Sequence, residues 1–269
     1  MADNKKTVNK YLCLTVFIVA SLLMLCCEIF KDKFLGIGEN GELIYSLTSR
    51  FFGIILCLVL VLYCSFSRIL KLVRSPFLKG FIAVLPCWVI ALNNFPIIPV
   101  LSGQARVTDK MSNILLYALL CAFVGVFEEL AYRGCVFMLI LKGSRRSSRD
   151  IIKAIIISSA LFGAIHLVNL IVGADPLGVM LQIGYSFLIG AMCSFVLIKT
   201  GSVWHCALMH AVYNFCGGVV ANYGEGNIWT MPEVVLTAVV GVMVALYVLL
   251  ALFKTDPSEA ECLFLNKEK

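Results

Sequence analysis

The chain has 269 residues, of which 61% are hydrophobic and only 14% charged, with a formal net charge of +6. Soluble domains carry about 25% charged residues, so this composition excludes an ordinary soluble enzyme. The basic residues sit in short runs between apolar segments, which excludes a nucleic-acid face and fits the charge bias that orients membrane proteins.

In chain order, eight apolar segments come near the roughly 20 residues needed to cross a bilayer. They run over 11–30, 45–66, 77–101, 113–141, 151–172, 177–198, 203–220 and 232–253. The first follows Lys5, Lys6 and Lys10 and has no clear small-x-small cleavage site, so it reads as an uncleaved signal anchor. The third is interrupted by Pro86, Asn93, Asn94, Pro96 and Pro99 and is expected to kink or end early. Lys142–Arg149 reads as a solvated turn, and the polar tail from Thr255 as mobile. The expectation is an all-α polytopic membrane protein with about eight helices in one bundle. Three regions follow: N-terminal helices over 1–112, a core over 113–220, and a last helix with a tail over 221–269.

Orientation follows from the basic residues. With a cytoplasmic N-terminus, sixteen Lys and Arg lie inside and five outside, while Arg133 lies within the membrane. Eight crossings then place both termini in the cytoplasm. The twelve cysteines contain no C-x-x-C and lie mostly inside apolar segments, where a thiol behaves as a small hydrophobe.

One patch breaks the apolar pattern. Glu128, Glu129 and Arg133 interrupt a segment with no charge from Ile114 to Phe127 or from Gly134 to Leu141. A charged residue at the centre of a membrane helix costs roughly 2.5–3.5 kcal/mol on insertion scales. At about 100° per helical residue, Glu129 and Arg133 share a face, while Glu128 points roughly 140° away from Arg133. Arg133 therefore neutralises Glu129, and Glu128 is left for other partners.

Those partners are few, because the chain has only three histidines. His166 lies midway along the fifth segment. His210 lies in the seventh, with Asn214 one turn later on the same face, while His205 sits off that face nearer the cytoplasmic end. Polar groups at membrane depth avoid lipid and converge on the bundle interior. A Glu, two His and an Asn around a wet cavity can activate a water and stabilise an oxyanion. Two His and a carboxylate are also usual ligands of a catalytic zinc, so Glu128, His166 and His210 stand as a metal-ligand alternative, although the H-E-x-x-H spacing is absent.

E-E-x-x-x-R (Glu128, Glu129, Arg133), F-x-x-x-H (Phe162, His166) and H-x-x-x-N (His210, Asn214), in this order on separate membrane helices, resemble the CAAX protease and bacteriocin-processing family of intramembrane proteases. The resemblance covers about 113–220, the second half of the chain. It implies that Glu128 and His166 activate water, that His210 and Asn214 form the oxyanion site, and that Glu129, Arg133 and Phe162 support them. It leaves open whether a zinc ion takes part. The implied activity is an intramembrane endopeptidase acting on a peptide or membrane-protein tail, with membrane lipid as a partner; the positive-inside bias and compact loops point to a bacterial cytoplasmic membrane, and the short basic runs to no nucleic acid. Two readings compete: a catalytically silent scaffold or bacteriocin-immunity factor of the same fold, and a proton-coupled transporter. The transporter is disfavoured because the two halves show no internal repeat.

Overall fold

A computed structural model describes Thr15 and residues 41–72, 77–143 and 147–264. The expected first span, 11–30, lies outside the described residues apart from Thr15. The rest is helical, with one two-stranded ribbon.

Helix α1 (Gly41–Tyr63) is followed by α2 (Phe77–Asn93) and the short α3 (Ile97–Leu101). After strand β1 (Ala105–Val107) comes α4 (Met111–Glu129), which runs on through a π-helical stretch (Leu130–Phe137) into α5 (Met138–Lys142). Then follow α6 (Ser148–Ala164) with a 3-10 extension (Ile165–Leu170), α7 (Pro176–Thr200) and α8 (Val203–Tyr223). Strand β2 (Gly224–Gly226), α9 (Met231–Phe253) and α10 (Pro257–Glu261) close the chain.

Five helical segments among the described residues are long and apolar enough to cross a membrane: Gly41–Tyr63, Met111–Lys142, Ser148–Leu170, Pro176–Thr200 and Met231–Phe253. The protein is a helical, polytopic membrane protein; of the eight expected spans the first lies outside the described residues, and the third and seventh miss these criteria. α2 is too short, and α8 is diluted by the polar residues of the site. The expected span 77–101 is two helices. Pro96 has no N–H and pushes the residue before it out of the helical region, so the chain turns after Asn93. The buried carboxylate of Glu233 on α9 then accepts from Ile98 N at 3.0 Å and caps the restart.

Local signals set the other ends. Ser147 and Asp150 form a reciprocal capping box at the start of α6. Asp175 accepts from Gly178 N at 2.7 Å before Pro176 opens α7, and Gly201, at φ +69°, ends that helix in the left-handed region. The ribbon pairs β1 and β2 antiparallel, with Arg106 opposite Glu225, and joins the start of α4 to the end of α8. The tail corrects the expectation of mobility as far as it is described. Lys199 grips both Glu259 carboxylate oxygens at 2.9 Å, Leu263 is buried, and Phe264 packs edge-on against Phe66.

Cys57, Cys64, Cys121, Cys135, Cys193 and Cys206 are buried and outside any disulfide, in keeping with their reading as small hydrophobes.

Candidate active site

α4, α6 and α8 approach closely enough to bring the motif residues together, and small residues permit it. A Cβ on Gly125 would lie 2.6 Å from Ala207 O and 3.0 Å from Ala211 N, so α4 and α8 touch backbone to backbone one turn before Glu129. A Cβ on Gly163 would lie 2.8 Å from Ile183 O, which seats α6 on α7 beside Phe162. Such small-residue contacts are the usual way membrane helices close on one another.

Glu129 and Arg133 are fully buried, and Glu129 Oε1 lies 3.1 Å from Arg133 Nη1. The contact is an ion pair off hydrogen-bond alignment, because neither Arg133 Nη atom makes a hydrogen bond among the described residues. The guanidinium is instead covered by the Phe162 ring, 4.7 Å from its centroid, a cation–π contact that shields the charge without polar partners. A Cβ on Gly190 would fall 3.2 Å from Arg133 Nη2, so this glycine makes room for the side chain.

Sequence reasoning divided this patch in two, with Glu129 facing only Arg133. The structure adds a partner. His210 Nδ1 lies 2.7 Å from Glu129 Oε1, while His210 Nε2 lies 3.5 Å from Glu128 Oε2. The imidazole therefore stands between the two adjacent carboxylates. Glu129 is sealed in, whereas the Glu128 side chain keeps 23% of its surface exposed. Glu128 is thus the carboxylate that a water or a substrate can reach.

Phe162 organises the remainder. Its buried ring meets His166 at 5.7 Å and His210 at 5.8 Å between centroids, edge-on to both, and Tyr132 closes the other side at 4.8 Å. His166 sits on the 3-10 extension, is half-buried, and meets the same Phe162 ring as His210. Asn214 follows His210 by one turn. Its main-chain carbonyl accepts from Tyr117 Oη at 3.3 Å, and its side chain makes no hydrogen bond among the described residues. His205 is half-buried nearer the start of α8.

Two participants escaped the sequence reading. Asn94, read only as an interruption of the third span, donates from Nδ2 to Tyr213 O at 2.8 Å and pins α8 next to Asn214. An Asn directly before an F-P turn at membrane depth was the available signal. Tyr132, one residue before Arg133, had no signal beyond its aromatic character.

Among the described residues, no three His, Cys, Asp or Glu side chains gather as a metal-ligand set. His210 turns Nδ1 to Glu129 and Nε2 toward Glu128, and the His166 ring meets Phe162 edge-on.

The family model for type II CAAX prenyl endopeptidase Rce1-like proteins matches residues 110–216. No curated protein and no solved structure matches the chain. The matched segment begins just before α4 and ends two residues past Asn214, so it holds every residue of the cluster. Residues 110–216, 107 of the 269, therefore match a type II CAAX prenyl endopeptidase Rce1-like domain.

Proposed function

We propose that the protein is an intramembrane endopeptidase that hydrolyses a peptide bond in a membrane-associated protein or peptide. One observation carries this reading: in three segments of the Rce1-like domain, His166 and His210 both meet the Phe162 ring, and His210 Nε2 lies 3.5 Å from Glu128. In this proposal Glu128, the accessible carboxylate, takes a proton from the attacking water. His166 orients that water. As the carbonyl carbon becomes tetrahedral, negative charge develops on its oxygen, and His210 and Asn214 are assigned to stabilise it. Arg133 offsets the charge of Glu129 inside the apolar bundle.

Water activation is assigned in this reading to Glu128 and His166 without a resident ion. Zinc at one equivalent per chain, whose removal abolishes cleavage and whose return restores it, would overturn that assignment. The chain is placed in a bacterial cytoplasmic membrane with both termini inside, following its basic residues. A leader or signalling peptide is the favoured substrate class.

The test is cleavage by purified, detergent-solubilised protein. Glu128→Ala is expected to lose activity while keeping the fold of the parent. Equal cleavage by parent and variant would sink the proposal.

A further inference from the structure

The Glu129 carboxylate contacts two side chains through a single oxygen. Oε1 lies 3.1 Å from Arg133 Nη1 and 2.7 Å from His210 Nδ1. A carboxylate held against a guanidinium acts only as an acceptor. In the 2.7 Å contact the proton is therefore on His210, and Nδ1–H donates to Glu129. That bond fixes both the tautomer and the rotation of the ring. The opposite nitrogen, Nε2, is then directed at Glu128 Oε2, 3.5 Å away.

We propose that Glu129 is a positioning residue for peptide hydrolysis: it holds His210 in the Nδ1–H form so that Nε2 meets Glu128 as a proton acceptor. The proposal rests on the endopeptidase reading above and adds a step to it. The water O–H breaks as its oxygen bonds to the carbonyl carbon, and the proton goes to Glu128. From Glu128 it passes to His210 Nε2, which restores the Glu128 carboxylate. The ring now carries two N–H groups, and its positive charge faces Glu129 directly. Nε2–H becomes the donor to the oxyanion and then delivers the proton to the leaving amine as the C–N bond breaks. A buried carboxylate that orients a histidine and offsets its transient charge is the logic of the serine-protease Asp–His pair, here built from adjacent residues of one helix and a partner on another.

The surroundings suit this task. Glu129 has no exposed surface, and the Cys193 thiol packs against the same carboxylate. The close approach at Gly125 sets the distance between α4 and α8, and Phe162 limits rotation of the His210 ring from the side. A carboxylate serving only as a counter-ion to Arg133 would not need a histidine nitrogen at 2.7 Å.

The experiment uses the full chain in lipid nanodiscs with 15N-labelled histidine. Only three imidazoles contribute signals, and they are assigned by replacing His205 and His166 in turn. The expected parent spectrum has His210 protonated at Nδ1 and unprotonated at Nε2. In Glu129→Gln that preference should be lost, with kcat down by about 10²–10⁴-fold and KM nearly unchanged, the upper figure being that of the corresponding serine-protease change. Glu129→Gln/Arg133→Gln separates positioning from ion pairing, because it removes both buried charges together. Positioning predicts that kcat stays low although stability recovers. A structural pair alone predicts that kcat recovers with stability, which would overturn the proposal. An Nε2–H ring in an active parent would also overturn it, leaving the endopeptidase reading intact. A parent that hydrolyses no peptide would overturn the endopeptidase reading, whatever the ring spectrum.

Discussion

Two Arg–Glu pairs in this molecule are chemically alike and physically opposite. Arg106 and Glu225 meet across the ribbon with Nε to Oε1 at 2.7 Å, but their side chains are 76% and 57% exposed. Arg133 and Glu129 meet at 3.1 Å with 1% and 0% exposed. The closer pair is the weaker one, because water and ions screen it and two flexible side chains must be ordered to form it. The buried pair is not a net source of stability either, since both charges lost their hydration to form it. Its value lies in what neither partner can do without the other, and in the histidine that Glu129 also holds. Between these extremes, Lys199 and Glu259 fasten the tail with 14% and 36% of their side chains exposed.

The contrast can be broken by experiment, with the largest effect at Arg133. Arg133→Leu leaves the Glu129 charge buried without its cation and should lower stability by about 3–5 kcal/mol. Unfolding in detergent, followed by circular dichroism, measures it. If Arg133→Leu costs no more than an exposed substitution, the two buried charges do not depend on each other. Gly190→Ala comes next. Its Cβ would lie 3.1 Å from Ser159 Oγ and 3.2 Å from Arg133 Nη2, and overpacking of this kind costs about 1–3 kcal/mol. The same unfolding assay reads it, and Gly241→Ala, where a Cβ meets nothing within 4 Å, is the control.

Lys199→Ala should cost about 1 kcal/mol or less, because its pair is only partly shielded. Limited proteolysis after α9 should quicken as the tail loosens. Arg106→Ala should change stability by under about 0.5 kcal/mol, with even that difference shrinking in high salt. An Arg106 effect as large as that of Arg133 would mean that proximity, not burial, decides the strength of these pairs.

Much of the site was legible because membrane insertion makes polar residues costly. Glu128, Glu129, Arg133, His166, His210 and Asn214 stood out against apolar segments, and a common interior was the only place for them. The pairing of Glu129 with Arg133 followed from i,i+4 spacing and is present, although the turn after Glu129 is π-helical. Periodicity could not reveal that His210 lies between both carboxylates, because that depends on how closely α4 approaches α8. Gly125, opposite Ala207 and Ala211, sets that approach. The split of the third span was half legible: its prolines marked the break, but the buried Glu233 that caps the restart is 135 residues from Ile98. The tail misled because its composition is polar, while Ala260 and Leu263 supply the few apolar contacts that hold it.

The central claim is that Glu128 is the carboxylate that turns this buried cluster into an endopeptidase. Its most direct test compares peptides released by cells carrying the parent protein with those from cells carrying Glu128→Ala at equal membrane abundance, read by mass spectrometry of new chain ends. The account predicts a defined set of new termini, adjacent to a membrane segment, that is present with the parent and absent with the variant. Identical termini in both would contradict it.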